Sequence, residues 1–179
     1  ETPLTGISGT GFIAALSVLR RLGLIDMEGH FQAPSMPLAR NVAERVREHR
    51  LGRVFEFEPD VFIAERDIEE FLKAKAGVNV ALRSLCQSAG LTEQDVQRVY
   101  VAGALGEHAQ PDHLITLGFL PESWREKMAV VGNTSLAGTL LALERADIRA
   151  WLDRLPGRVV VESLVEKKDF GAKFLRSMR

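Results

Sequence analysis

Val99-Tyr100-Val101 is a β-branched and aromatic run that leads straight into Ala102-Gly103-Ala104-Leu105-Gly106. Such a run reads as a buried strand ending in a glycine turn. Where Cβ atoms are missing at a strand end, backbone N–H groups can approach a flat or phosphorylated ligand closely. The same small residues also suit a tight packing turn. Met128-Ala129-Val130-Val131-Gly132 repeats the arrangement, and Asn133-Thr134-Ser135 after it can cap a helix of Leu136, Leu140, Leu141 and Leu143. A third glycine-rich stretch, Gly6-Ile7-Ser8-Gly9-Thr10-Gly11, feeds the apolar stripe of Phe12, Ile13, Leu16 and Leu19. A helix N-terminus there either offers N–H groups and the positive end of its dipole to an anion, or is simply capped by Ser8 or Thr10.

Further polar groups sit at positions where they are costly. Asp67 to Ala89 is the longest periodic segment, and Ile68, Phe71, Leu72, Leu82, Cys86 and Ala89 share one face at ~100° per residue. Lys75 and Asn79 fall in the middle of that face, so each must either snorkel out of it or point into a polar cleft. The opposite face carries only small residues, Ala74, Gly77, Ala81, Ser84 and Ser88, which predicts a central helix packed on both sides. Cys86 reads as a core thiol. Glu107, His108, Asp112 and His113 match no standard metal-ligand spacing, and no Gly-x-Ser-x-Gly elbow follows a strand, so neither a metal site nor a Ser-His-Asp hydrolase is expected.

The elements that must hold these residues follow from punctuation. Gly23 closes the first helix, and Asp26 to Pro37 reads as an irregular surface excursion. Ala39 to His49 reads as a basic helix with Arg40, Arg45 and Arg47 interleaved by Glu44 and Glu48, followed by a hairpin of Arg53–Phe57 and Val61–Ile63. Gly90 ends the long helix, and Thr92 with Glu93 opens a short one. Pro111 starts a helix, Pro121 another under which Trp124 packs, and Trp151 belongs to a further helix closed by Pro156-Gly157. Arg158 to Val161 reads as a last strand and Asp169 to Met178 as a terminal amphipathic helix.

Bulk properties narrow the classes. The 179 residues, 46% hydrophobic and 26% charged, suffice for one core, or for one lobe of a larger protein. A formal net charge of -1 supplies no basic field for a nucleic-acid backbone. One cysteine excludes an intrachain disulfide or a cysteine-ligated cluster within the chain and points to a reducing, cytoplasmic setting. No apolar run approaches the ~20 residues of a membrane span. Because an α/β domain binds ligands outside its strand ends, a nucleotide cleft is the leading functional expectation.

Taken in order, these motifs resemble the C-terminal part of the ATP-dependent reductive activators of corrinoid proteins. Those are ferredoxin-fused members of the superfamily that contains sugar kinases, actin and the seventy-kilodalton heat-shock chaperones. The family's Gly-Ile-Cys-Gly-Ser-Gly-Leu-Ile looks like Gly6 to Ile13, and its Asp-Ile-Arg-x-x-x-x-Ala-Lys-Ala helix like Asp67 to Ala76. Its Val-Tyr-Leu-Ala-Gly-Ala-Phe-Gly is similar to Val99 to Gly106, its Gly-Leu-Leu-Pro to Gly118 to Pro121, and its Gly-Asn-x-x-Leu-x-Gly to Gly132 to Gly138. Ser8, Thr10 and Leu105 depart from the pattern.

The resemblance implies an α/β domain of the ribonuclease-H-like type, with residues 1–179 forming the second lobe of an actin-like ATPase around a small mixed sheet. It implies that Gly103, Ala104 and Gly106 face an adenosine; burial and spacing then suggest Lys75 and Asn79 as polar contacts from the central helix and Gly9 to Gly11 either near phosphate or bracing that wall, with Gly132 and Asn133 at the neighbouring turn. ATP is the implied cofactor, with magnesium and a 2Fe-2S cluster handled by upstream domains that this chain, which opens at Glu1, is expected to lack. The parent would drive a low-potential electron onto the cobalt(II) of a corrinoid protein, its partner, and the isolated lobe would hydrolyse ATP poorly. Homodimerisation is open. A rival expectation is an interaction module that docks the corrinoid protein with degenerate nucleotide contacts. A sugar or acid kinase lobe would need an acceptor site for which no residues stand out.

Overall fold

The computed structural model describes residues 3–103 and 110–178. In chain order these contain α1 (Gly9–Arg21), a 3-10 turn (Pro37–Ala39), the single helical turn α2 (Arg40–Ala43), and strands β1 (Val46–His49), β2 (Gly52–Glu58) and β3 (Val61–Ala64). There follow the long α3 (Glu65–Ser88), β4 (Val99–Val101), α4 (Pro111–Thr116), a 3-10 segment (Glu122–Lys127) and β5 (Met128–Val130). The chain closes with α5 (Thr134–Glu144), α6 (Ala146–Arg154), a 3-10 turn (Pro156–Arg158) and α7 (Phe170–Ser177). The mixed α/β class expected from the sequence is what forms.

Local chemistry explains the ends of the main helices. Gly23 takes φ 69, which lets its N–H reach Arg20 O and the next N–H, of Leu24, reach Leu19 O, so the last carbonyls of α1 are satisfied. Gly90, with φ 68, ends α3 in the same way through Leu91 N–H to Cys86 O at 2.8 Å. At the start of α3 the Asp67 carboxylate accepts the Ala64 N–H at 2.9 Å, and the Glu65 carboxylate accepts the Phe31 N–H at 2.7 Å. The long helix is therefore pinned to β3 and to the excursion after α1.

β1, β2 and β3 form an antiparallel sheet in that order, in which Phe55 pairs with Val46 on one side and Ile63 on the other. The main core lies between this sheet, α1 and the first half of α3: Leu16, Leu19, Leu24, Ile25, Phe31, Phe55, Ile63 and Ile68. Burying each such side chain contributes about 1.5–3 kcal/mol. β4 and β5 form a separate parallel pair with Val99 opposite Met128 and Val101 opposite Val130.

Three expectations are corrected. The stretch expected as one helix from Ala39 to His49 is helical only to Ala43, and Val46–His49 is a strand. Cross-strand contacts override its helical charge pattern: Arg47 pairs with Glu56 at 3.3 Å, and Arg45 donates to Phe57 O at 2.7 Å. Thr92 opens a turn closed on the Asp95 carboxylate at 2.8 Å rather than a helix. Val159 to Val161 forms no strand and pairs with no sheet of the described residues, leaving Val160 and Val161 87% and 88% exposed.

Candidate functional site

The glycine turns after β4 and β5 are joined. Parallel pairing brings the two strand ends side by side, and the ladder continues past them: Val131 N–H donates to Val101 O at 3.0 Å and Gly103 N–H to Gly132 O at 2.9 Å. Gly103 has φ 93 and Gly132 φ 68, left-handed angles that disfavour any residue with a Cβ. A Cβ built on either would meet nothing within 4 Å. Backbone angle therefore demands glycine here, and no described residue crowds either turn. Gly132 O also accepts the Thr134 N–H at 3.0 Å, and the Asn133 side chain accepts the Leu136 N–H at 3.2 Å, so Asn133 caps α5 as the sequence suggested. Ala104 and Gly106, with Leu105, Glu107 and His108, lie outside the described residues.

The turn before α1 has other company. Ser8 Oγ accepts the Gly11 N–H at 3.1 Å, so the capping alternative is realised, and a Cβ on Gly11 would come within 3.1 Å of that same oxygen. Thr5, Gly6, Ile7 and Phe12 line a cleft with Asp60, Val61, Ile63 and Asp67, at the β2–β3 turn and the start of α3. Leu4 N–H donates to Glu58 at 2.8 Å beside it. Gly9 thus begins a helix whose neighbourhood includes the carboxylates of Glu58, Asp60 and Asp67.

Lys75 and Asn79 meet the end of α4. There Gly118, at φ 74, closes the helix, with Phe119 N–H donating to Leu114 O at 2.8 Å. The Asn79 amide donates to the carbonyls of both Gly118 and Phe119 at 3.0 Å, tying α3 to this turn. Lys75 is 5% exposed, and its Cδ would lie 3.9 Å from a Cβ on Gly118. Burial first, and the positive Arg20 second, hold its ammonium below the usual lysine range. It lines a cavity of about 160 Å³ with Leu16, Arg20, Asp26 and Leu117. Of the two fates open to a lysine in an apolar stripe, Lys75 is retained inside. Cys86 is half-buried and, with Asn79, Phe119 and Trp124, lines a separate cleft of about 590 Å³.

Sequence reasoning missed a polar cluster on the far face of α3. Ser84 is buried and donates to Glu162 at 3.2 Å, while Lys167 donates to both Ser84 and Glu162. The Ser88 hydroxyl and then Lys167 hold the Glu162 carboxyl below its usual range. Only the small-residue face of α3 signalled contact here; nothing in the spacing of Glu162 and Lys167 named them as the partners.

With this geometry in hand, comparison with known proteins is direct. A family model described as the C-terminal domain of RACo, the ASKHA domain, matches residues 1–179. The chain is 30% identical over 132 residues to a Co(II) methylated amine-specific corrinoid protein reductase of Methanosarcina barkeri, covering 74% of this chain and 21% of that protein. It is 24% identical over 160 residues to the corrinoid activation enzyme RamQ of Eubacterium limosum, covering 83% of this chain and 27% of RamQ. Among solved structures it superimposes on a reductive activator for corrinoid, iron-sulfur protein with a TM-score of 0.83 and 28% identity, over 96% of this chain and 28% of that one. The chain thus spans about a quarter of the length of the proteins it matches.

Proposed function

The chain belongs to the RACo C-terminal ASKHA-domain family, and from that premise we propose that it is the nucleotide-binding C-terminal lobe of an ATP-dependent reductive activator of corrinoid proteins. The observation that carries this reading is the hydrogen bond joining the Gly103 and Gly132 turns at the ends of two parallel strands, neither turn crowded by any described residue. Two adjacent backbones without side chains suit the flat face of a purine nucleoside.

In this reading Gly103, Ala104 and Gly106 lie against the adenosine of ATP, with Gly132 and Asn133 forming the adjoining wall. Lys75 and Asn79 hold the α4 turn, and Gly9 and Gly11 begin the helix nearest the phosphates. The 2Fe-2S cluster belongs to another part of a parent protein, since the single cysteine of this chain cannot ligate one, and magnesium accompanies the ATP phosphates in the full-length protein. ATP hydrolysis in the parent is coupled to transfer of one electron from that cluster to the cobalt(II) of a corrinoid partner in the cytoplasm.

Titrating ATP into the full-length parent by calorimetry, for wild type and for Gly132→Ala, tests the lobe's role. Wild type should bind, and the variant should bind at least about tenfold more weakly. Loss of the cobalt(II) absorption of the corrinoid protein, with and without ATP, tests the parent activity. Unchanged ATP affinity in the variant would overturn the assignment of the turn, and cobalt reduction that ignores ATP would overturn the coupling.

A further inference from the structure

Ser84 and Lys167, two members of the polar cluster on the far face of α3, line a cavity of about 360 Å³ between α3 and α7. That volume lies within the ~300–1,000 Å³ of small-molecule sites. Its lining is of two kinds. Val80, Leu164 and Phe170 supply apolar surface, whereas Arg83, Lys167, Lys173 and Arg176 supply positive charge.

The charges of that lining do not balance. Lys167 is matched by Glu162 at 2.9 Å and Lys173 by Asp169 at 2.7 Å. Arg83 of α3 and Arg176 of α7 form no ion pair among the described residues. Arg176 also borders a neighbouring groove with Glu65 and Glu69 and pairs with neither, and its field reaches Asp169, which Lys173 already neutralises. Two positive charges in excess therefore gather at one cavity of a chain whose net charge is -1. A concave and partly apolar wall focuses such a field and draws a counter-charge into it. Both arginines are exposed, so each can turn its guanidinium toward what enters.

We propose that this cavity binds a small phosphate monoester, its phosphate held by Arg83 and Arg176 and its carbon body laid against Val80, Leu164 and Phe170. A phosphate monoester carries about -1.5 to -2 charges at pH 7, which matches the excess. Guanidinium groups meet phosphate oxygens through paired N–H donors, and Gln87 and Ser177 at the same cavity add further donors. Inorganic phosphate alone would satisfy the charge but leave the apolar part of the lining in water. Neither Gly103 nor Gly132 lines this cavity, so it is a second site and not an extension of the nucleotide turns.

The test is calorimetric titration of the full-length protein with phenyl phosphate, in the presence of saturating ATP and magnesium. Wild type should bind it, and should bind inorganic phosphate more weakly. Arg83→Ala and Arg176→Ala, both at exposed positions and checked by thermal melts, should each weaken phenyl phosphate at least about tenfold, while Arg154→Ala, on α6 outside the cavity, should leave it unchanged. No binding by wild type, equal affinity for phenyl and inorganic phosphate, equal weakening by Arg154→Ala, or tighter binding of benzylmalonate, a dicarboxylate with the same ring, each overturns the proposal. So does binding that appears only when ATP is left out, which would place the anion at the nucleotide turns. ATP affinity is measured separately, so failure here and failure of the nucleotide reading are distinct results.

Discussion

Asn79→Ala removes both N–H donors that bind the carbonyls of Gly118 and Phe119 at 3.0 Å. Each such bond contributes about 0.5–1.5 kcal/mol net, and more is lost where the orphaned acceptor stays out of water. The Gly118 carbonyl belongs to an exposed residue and can recover a water partner, whereas Phe119 is half-buried. The two bonds together are thus worth about 2 kcal/mol. For a chain of 179 residues that corresponds to a fall in Tm of about 4–8 °C, read by circular dichroism with urea melts as the independent measure. Asn79→Asp is the discriminating companion. It keeps the shape of the side chain but replaces the donor with a carboxylate facing two carbonyl oxygens, so it should cost at least as much as alanine. If both variants lie within about 0.5 kcal/mol of wild type, the tie between α3 and the α4 turn is not what holds this part of the fold.

Lys75 carries a pH signature whose sign follows from its lowered pKa. The unfolded chain keeps the lysine proton up to about pH 10.5 while the folded chain gives it up earlier, so between the lowered value and 10.5 the unfolded state binds more protons and stability rises with pH. Wild type should therefore gain on Lys75→Met in urea melts as pH is raised from 7 toward 10; a constant difference would remove the burial argument. Gly132→Ala forces a Cβ into φ 68 and should lower stability by about 1–2 kcal/mol, while Gly138→Ala, inside α5 with open space around it, should raise it by about 0.5–1 kcal/mol. Equal effects of the two alanines in thermal melts would show that backbone angle does not govern the turn. Trp124→Phe loses the indole N–H bond to Glu93 O at 3.0 Å from a buried position and should cost about 1–2 kcal/mol; a melt unchanged from wild type would count against that bond.

Much of the architecture was legible because local rules and tertiary packing agree over most of the chain. Gly23, Gly90 and Gly118 stop helices where their left-handed angles say they should. The apolar stripe of α1 faces the core it announces, as does the first part of the α3 stripe, Ile68 with Phe71 packed on it, whereas Leu82 and Cys86 farther along α3 line a cleft. Legibility failed where a partner distant in sequence decides. Arg45 and Arg47 look like a solvated helical face until β2 brings Glu56 and Phe57 against them. The Val159–Val161 run has strand chemistry but pairs with no sheet among the described residues. Ser84, Glu162 and Lys167 form one cluster across a separation that no spacing rule spans.

What the amino-acid order alone determined is where the chain turns, which residues must be glycine, and which faces are apolar, because backbone angle and hydrophobic period are properties of a few consecutive residues. Tertiary structure alone decided that two of the glycine turns meet, through a parallel pairing of Val99–Val101 with Met128–Val130. It also decided that Lys75 stays inside against the α4 turn, and that no described residue covers the leucines of α5. These are outcomes of pairing register and of which surfaces find a neighbour, and both depend on contacts between residues far apart along the chain.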